Sequence, residues 1–257
     1  MFIDAHAHLD DERFEQDRQE IIDALDENEI DFVINAGADL ESSLFSKRLA
    51  EENEKIYFTA GIHPHDAKTA HKEMFAEIEQ LLGHPKCVAV GEMGLDYHYN
   101  HSPQHVQREV FLTQLHMAKQ AEKPIVVHMR EATKDTIELL SAFAPFAHLG
   151  VIHSFSGSVE SAKIFLDMGL YLSISGPVTY DNAGRFREVV RALPLDKLLI
   201  ETDCPYLTPV PLRGRRNEPK NVRYVAQKIA ELKSISLEEV AKTTSDNARM
   251  VFGLTKA

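Results

Sequence analysis

The chain has no tryptophan and only two cysteines, Cys87 and Cys204, in 257 residues. Two thiols build no disulfide framework of the kind that staples small secreted domains, so a reducing, cytoplasmic setting is the expectation. The opening residues carry neither a basic segment nor the apolar run of a secretory leader, and no stretch approaches the ~20 apolar residues of a membrane-crossing helix. No membrane association is expected. Basic residues are also scarce: Lys and Arg number 28 against 40 Asp and Glu, a formal net charge of −12. Such a chain does not hold polyanions by bulk attraction. Nucleic-acid chemistry at a metal centre stays open to it, because bound divalent cations neutralise phosphate locally. A glycine-rich turn after the first apolar run is missing too, since the residues there are Leu9-Asp-Asp-Glu-Arg-Phe14. That argues against an open doubly wound sheet, which places its ligand near such a turn.

The chain is 44% hydrophobic and 26% charged, ordinary globular composition with a real core. No composition shift or long Pro/Gly linker divides it, so one domain spanning 1–257 is expected. Eight short apolar or β-branched runs read as strands: Met1–His6, Phe32–Gly37, Tyr57–Ile62, Cys87–Glu92, Pro124–His128, Leu149–His153, Leu170–Ser175 and Leu198–Asp203. Helical spacing lies between them. In Ala183–Leu193, Phe186, Val189, Val190 and Leu193 recur at i, i+3, i+4, i+7. For Pro103–Glu122, Ser102 is the expected N-cap and Pro103 the first helical residue. Two helices close the chain, about Asn221–Lys233 and a run to about Val251 that opens on the capping-box pattern Ser236-Leu-Glu-Glu239. The acidic stretches Asp10–Asp17 and Asp23–Asp31 read as solvated faces. Strand–helix alternation implies parallel strands with right-handed crossovers, and eight units close into a (β/α)8 TIM barrel.

Chemistry in a barrel sits at the C-terminal ends of its strands. In the opening Asp4-Ala-His-Ala-His8, strand alternation would put Asp4, His6 and His8 on one face. His6 and His8 end the first strand, Glu92 the fourth, His128 the fifth, His153 the sixth and Asp203 the eighth. Any one of them could be a strand-end residue meeting solvent. Six ligand-type side chains at one level of five strands point instead to one or two metal ions at the barrel mouth, of the Zn, Mn, Fe or Co type.

These residues reach a known family. The sequence resembles the TatD family of metal-dependent deoxyribonucleases, a branch of the amidohydrolase-like metallohydrolases, over nearly its whole length. The landmarks are Asp4-Ala-His-Ala-His-Leu9, Gly61-Ile-His-Pro-His65, Gly91-Glu-Met-Gly-Leu-Asp96, Pro124-Ile-Val-Val-His128, His153-Ser-Phe-Ser-Gly157, Glu201-Thr-Asp-Cys-Pro-Tyr206 and Arg215-Arg-Asn-Glu-Pro219. The resemblance implies a (β/α)8 barrel, two divalent ions per subunit (Zn, Mn, Mg, Fe, Co or Ni) and hydrolysis of DNA phosphodiester bonds from a 3′ end. With the family as guide, His6, His8 and Asp203 hold one ion, His128 and His153 a second, and Glu92 bridges them. Glu92 and Asp203 are the expected catalytic carboxylates, with Asp203 either orienting the attacking water and taking its proton or serving as a ligand alone.

Around this set, His63 and His65 are expected to contact substrate phosphate, with solvated imidazoles at a Pro64 turn as the alternative. Asp4 and Glu201 lie one layer deeper and are expected to orient the metal ligands, or one of them to be held protonated. Arg213-Gly-Arg-Arg216 is the compact basic patch at the rim, with Arg215 and Arg216 as phosphate contacts. Tyr206 could stack on a base, although packing is the commoner fate, and Cys204 is a bystander. DNA, as a short or single-stranded end, is the expected substrate, with no obligate protein partner. The competing reading is a hydrolase of small amide, lactone or phosphoester substrates on the same barrel.

Overall fold

The computed structural model describes residues 1–146 and 149–254; residues 147–148 and 255–257 of the expected 1–257 domain lie outside the described residues. The apolar runs form strands β1 (Phe2–Ala7), β2 (Ile30–Ala36), β3 (Ile56–Ala60), β4 (Cys87–Asp96), β5 (Ile125–Arg130), β6 (Gly150–Ile152), β7 (Tyr171–Ile174) and β8 (Leu198–Ile200). Each pairs in parallel with the next in chain order. The seam between last and first is made just past β8. There Ala7 bridges Cys204, His8 N–H donates to the Cys204 carbonyl at 2.7 Å, and Asp203 N–H donates to the His6 carbonyl at 2.9 Å. The sheet is a (β/α)8 barrel.

Helices α1 (Arg18–Asp23), α2 (Leu40–Glu52), α3 (Lys72–Leu82), α4 (Gln104–Ala121), α5 (Thr133–Ser141), α6 (Val159–Asp167) and α7 (Gly184–Ala192) alternate with the strands, and α8 (Val222–Lys233) and α9 (Leu237–Phe252) follow β8. Short polar side chains start several of them. Asp39 and Ser42 cap α2 reciprocally, each side chain accepting the other's backbone N–H, and Ser236 Oγ accepts Glu239 N–H at 3.1 Å to open α9. None of the helices among the described residues is long and apolar enough to cross a membrane.

One residue or two from nearly every strand fill the lumen, among them Ile3, Phe32, Val88, Val126, Val151, Tyr171 and Leu199. Ala248, Val251, Phe252 and Leu254 of α9 and its C-terminal end pack on them, so this helix stops the end opposite the strand termini. Burying a side chain such as Phe252 there contributes about 2–3 kcal/mol. With that end plugged, the C-terminal mouth is left for chemistry.

Three differences from expectation bear on the mouth. β4 does not stop at Glu92 but runs four residues further to Asp96, because Met93 to Asp96 pair with Val127 to Arg130 of β5. β8 ends at Ile200, three residues before Asp203, whose φ of +56° takes the backbone out of strand conformation. Ser102 does not cap α4: its hydroxyl is buried, donating to the His65 carbonyl and accepting from Lys68 N–H, while Pro103 precedes the first helical turn.

Candidate metal centre

The pairing of β1 with β2 shifts register between Asp4 and Ala7. Strict alternation through Asp4, His6 and His8 is therefore interrupted: Ala5 packs in the lumen and Ala7 in the layer beneath the helices. His6 and His8 nevertheless both reach the mouth. Their Nε2 atoms lie 3.2 Å apart, and Asp203 Oδ1 is 3.8 Å from the first and 3.4 Å from the second. The seam hydrogen bonds hold these three residues together, since Asp203 and His8 each donate a backbone N–H across it.

Glu92 occupies the middle. Its Oε2 lies 3.2 Å from His6 Nε2 and 3.7 Å from His8 Nε2. Its Oε1 lies 2.8 Å from His128 Nδ1, 2.9 Å from His153 Nε2 and 3.4 Å from His63 Nε2. Gly91 makes that position reachable: its φ is +152°, and a Cβ there would meet the Val126 carbonyl at 2.6 Å. Only glycine passes β5 this closely without displacing it.

Further partners fix the rings from behind. His128 Nε2 lies 3.1 Å from Asp96 Oδ2, which also lies 3.0 Å from His65 Nε2. Glu201 Oε1 accepts Ser154 N–H at 2.7 Å and lies 3.3 Å from His153 Nδ1. Its other oxygen is buried without a hydrogen-bond partner. Asp4 accepts from Thr202 at both N–H (2.8 Å) and Oγ1 (2.5 Å) and so ties β1 to the segment that carries Asp203.

Burial and charge act against each other throughout. Burial raises the Glu92 carboxyl, but the imidazoles of His153, His63 and His6 outweigh it and hold Glu92 well below its usual range. Asp203 is likewise lowered, burial being overcome by His8, His153 and His6. Burial opposes charge on His8, yet Asp203 and Glu92 lift it to about 9. His153 is raised well above its ordinary value by Glu92 and Glu201 against the same burial. His63 goes the other way, pushed down to about 4 chiefly by burial. Burial, helped by the charge of Glu201, pushes Asp4 up to about 8 against its Thr202 hydrogen bonds. Cys204 is buried and its thiol is raised well above the ordinary value, which leaves no thiolate to act as nucleophile.

The donor atoms fit divalent cations. Two pairs of imidazole nitrogens face each other at 3.2 Å, His6 with His8 and His128 with His153. A single cation between the members of each pair would accept both nitrogen lone pairs. Ligand atoms of His6, His8 and Asp203, of His63, Glu92 and His128, and of His6, His153 and Glu201 each lie within 4.8 Å of one another. Nitrogen and carboxylate donors suit Zn, Mn, Fe or Co.

All six expected ligand residues are thus brought together. His63 Nε2 lies 3.4 Å from Glu92 Oε1, while His65 is held by Asp96. Arg216 is already paired: its guanidinium meets Asp17 at 2.6 and 2.8 Å and Glu218 at 3.2 Å. Arg215 is exposed, and among the described residues its guanidinium has no partner. Asp96 has no role in the sequence reading. A signal for it was available, since residues 92, 94 and 96 of one strand share a face.

A closed parallel barrel with this donor set at one mouth is the architecture of a metal-dependent hydrolase. Residues 3–253 match the family described as TatD related DNase. The uncharacterized metal-dependent hydrolase YabD of Bacillus subtilis is 44% identical over 252 residues, covering 98% of this chain and 99% of its own. The 3′-5′ ssDNA/RNA exonuclease TatD of a Rahnella species is 31% identical over 254 residues, covering 96% and 97%. The crystal structure of YjjV, a TatD homolog from Escherichia coli K12, superposes with a TM-score of 0.94 at 28% identity, covering 99% and 98%. The chain belongs to the TatD family of metal-dependent hydrolases.

Proposed function

We propose that the protein is a divalent-metal-dependent deoxyribonuclease that cleaves DNA phosphodiester bonds from a 3′ end. The observation that carries this reading is the division of Glu92, with Oε2 turned to His6 and His8 and Oε1 to His128 and His153. One carboxylate facing two imidazole pairs is what a two-cation centre needs. His6, His8 and Asp203 would hold one cation, His128 and His153 the other, and Glu92 both. Bound there, the cations supply Lewis-acid stabilisation of a phosphoryl group and a water that ionises near neutral pH.

The chain's own groups do the rest. Asp203, kept ionised by the imidazoles around it, takes the proton of the attacking water on a carboxylate oxygen. Asp96 and Glu201 fix the rings of His128 and His153 through the nitrogens turned away from Glu92. Arg215, exposed at the rim, neutralises a phosphate beyond the reacting one. The printed activity of the Rahnella relative supports a nucleic-acid substrate and 3′-to-5′ direction. The protein works in the cytoplasm, a setting its two free, buried thiols are compatible with.

Metal analysis of the purified protein, followed by digestion of 5′-labelled single-stranded and duplex DNA with Mg²⁺, Mn²⁺ or Zn²⁺, tests the reading. Stepwise shortening from the 3′ end is expected, and His128→Ala or Asp203→Asn abolishes it while the circular dichroism spectrum is kept. Unchanged DNA turnover in both variants would sink the two-cation centre. Hydrolysis of small amides, lactones or phosphoesters with DNA left intact would move the assignment to small-molecule substrates.

A further inference from the structure

The barrel mouth carries two exposed aromatic rings that the metal centre does not use. Tyr99, in the loop after β4, is 50% exposed, and Tyr206, in the loop after β8, is 48% exposed. Each is braced by an arginine: the Arg130 guanidinium lies 4.6 Å from the Tyr99 ring centroid, and the Arg13 guanidinium 4.3 Å from that of Tyr206. The Tyr206 ring is also pinned. Asp11 grips Arg13 through Nε (2.8 Å) and Nη2 (2.7 Å) and lies 3.2 Å from the Tyr206 hydroxyl. Tyr99 is anchored at its backbone, where its N–H donates to Asp96 Oδ1 at 2.8 Å, and its ring lies parallel to that of His101 with centroids 5.4 Å apart.

Their placement is two-sided. The Tyr206 ring is 6.1 Å from that of His8, in one half of the donor cluster. The Tyr99 ring is 5.5 Å from that of His65, which stands 6.2 Å from His128 in the other half. Both rings, each beside an arginine, are left half open at the mouth.

We propose that Tyr99 and Tyr206 are stacking platforms for the nucleobases on either side of the bond to be cleaved, so that the bound strand is unpaired there. This specificity assignment rests on the nuclease reading above. A planar ring beside a guanidinium offers a base a stacking face without reading its sequence. It suits this chain in particular, because a formal net charge of −12 removes bulk attraction for the backbone. A base turned onto either ring has left its neighbours in the stack, which costs least in a strand already single.

The absence of tryptophan gives a direct probe. Tyr99→Trp and Tyr206→Trp, made singly in the metal-loaded protein, each introduce one indole. A hydrolysis-resistant phosphorothioate oligothymidylate should quench each indole, and an abasic oligonucleotide of the same length and charge should not. In steady state, Tyr99→Ala and Tyr206→Ala are each expected to raise KM for single-stranded oligothymidylate ~10-fold. That loss should shrink on the abasic strand, and Phe at either position should restore the KM. Equal losses on base-bearing and abasic strands, or no quenching, overturn the assignment and leave the nuclease reading standing if DNA is still cleaved. Base-dependent quenching without cleavage under any metal supports the platforms and overturns the nuclease reading instead.

Discussion

Asp96 Oδ2 lies 3.1 Å from Nε2 of His128, on the side of the ring turned away from Glu92. A ligand imidazole fixed in this way keeps its tautomer and aim, and loss of such a partner commonly weakens metal binding 10–100-fold. Asp96→Asn should therefore lower affinity for a divalent cation by about that factor with the fold intact. Competition against a calibrated chelator reads it directly; unchanged affinity would show that the carboxylate merely ties the loop after β4.

Gly91→Ala is expected to act on the same centre through the backbone. A Cβ would meet the Val126 carbonyl at 2.6 Å and Val126 Cβ at 2.8 Å, at a φ of +152°. Either β5 moves or Glu92 does, at a cost of about 1–3 kcal/mol. Urea unfolding of the chelated protein should show the loss, and metal content after dialysis should fall with it.

The pH dependence of the metal-free protein follows from its histidines. His8 is raised from 6.5 to about 9, and His128 and His153 are raised as well. A group with a raised folded pKa lends stability that is complete below its unfolded value and is lost as pH rises through the folded one. Asp4, raised from 3.8 to about 8, has the same sign. Chelated protein should thus lose several degrees of Tm between pH 6.5 and 9, since ~1 kcal/mol is worth about 2–4 °C in a chain of this size. Cations compete for the protonated nitrogens, so the Tm gained on adding metal should be larger at the higher pH. Differential scanning calorimetry with and without chelator measures both.

The two neighbouring arginines should separate cleanly. Arg216 is held by Asp17 and Glu218 and lies over the Phe14 ring, so Arg216→Ala should cost about 1 kcal/mol of stability. Arg215→Ala should leave the melting temperature alone and raise KM for DNA severalfold, more at low salt than at high. A matched melting curve and salt titration of the two variants decides it.

Much of this was readable in the residues. β1 to β8 all fall on the expected apolar runs, and all six ligand-type side chains that follow those runs meet at one mouth. Boundaries were less readable where long-range pairing overrides local pattern. β4 outruns Glu92 because β5 offers partners as far as Arg130, and β8 stops early because Asp203 turns left-handed. The contact of His63 with Glu92 and the capture of Arg216 by Asp17 depend on contacts between segments far apart in the chain. Spacing within one strand carries no information about those.

The seam that closes the barrel also sets when the donor cluster can exist. Asp4 and Thr202 are 198 residues apart in sequence and hydrogen-bonded to each other, and His6, His8 and Asp203 hang from that same junction. A chain emerging from the ribosome exposes its first two imidazoles long before their carboxylate partner is made. Capture of a cation between them must then wait for the last strand to dock against the first. On the proposed reading metal uptake is then a late event of folding, and a truncated product would be left without the grip that a finished one has.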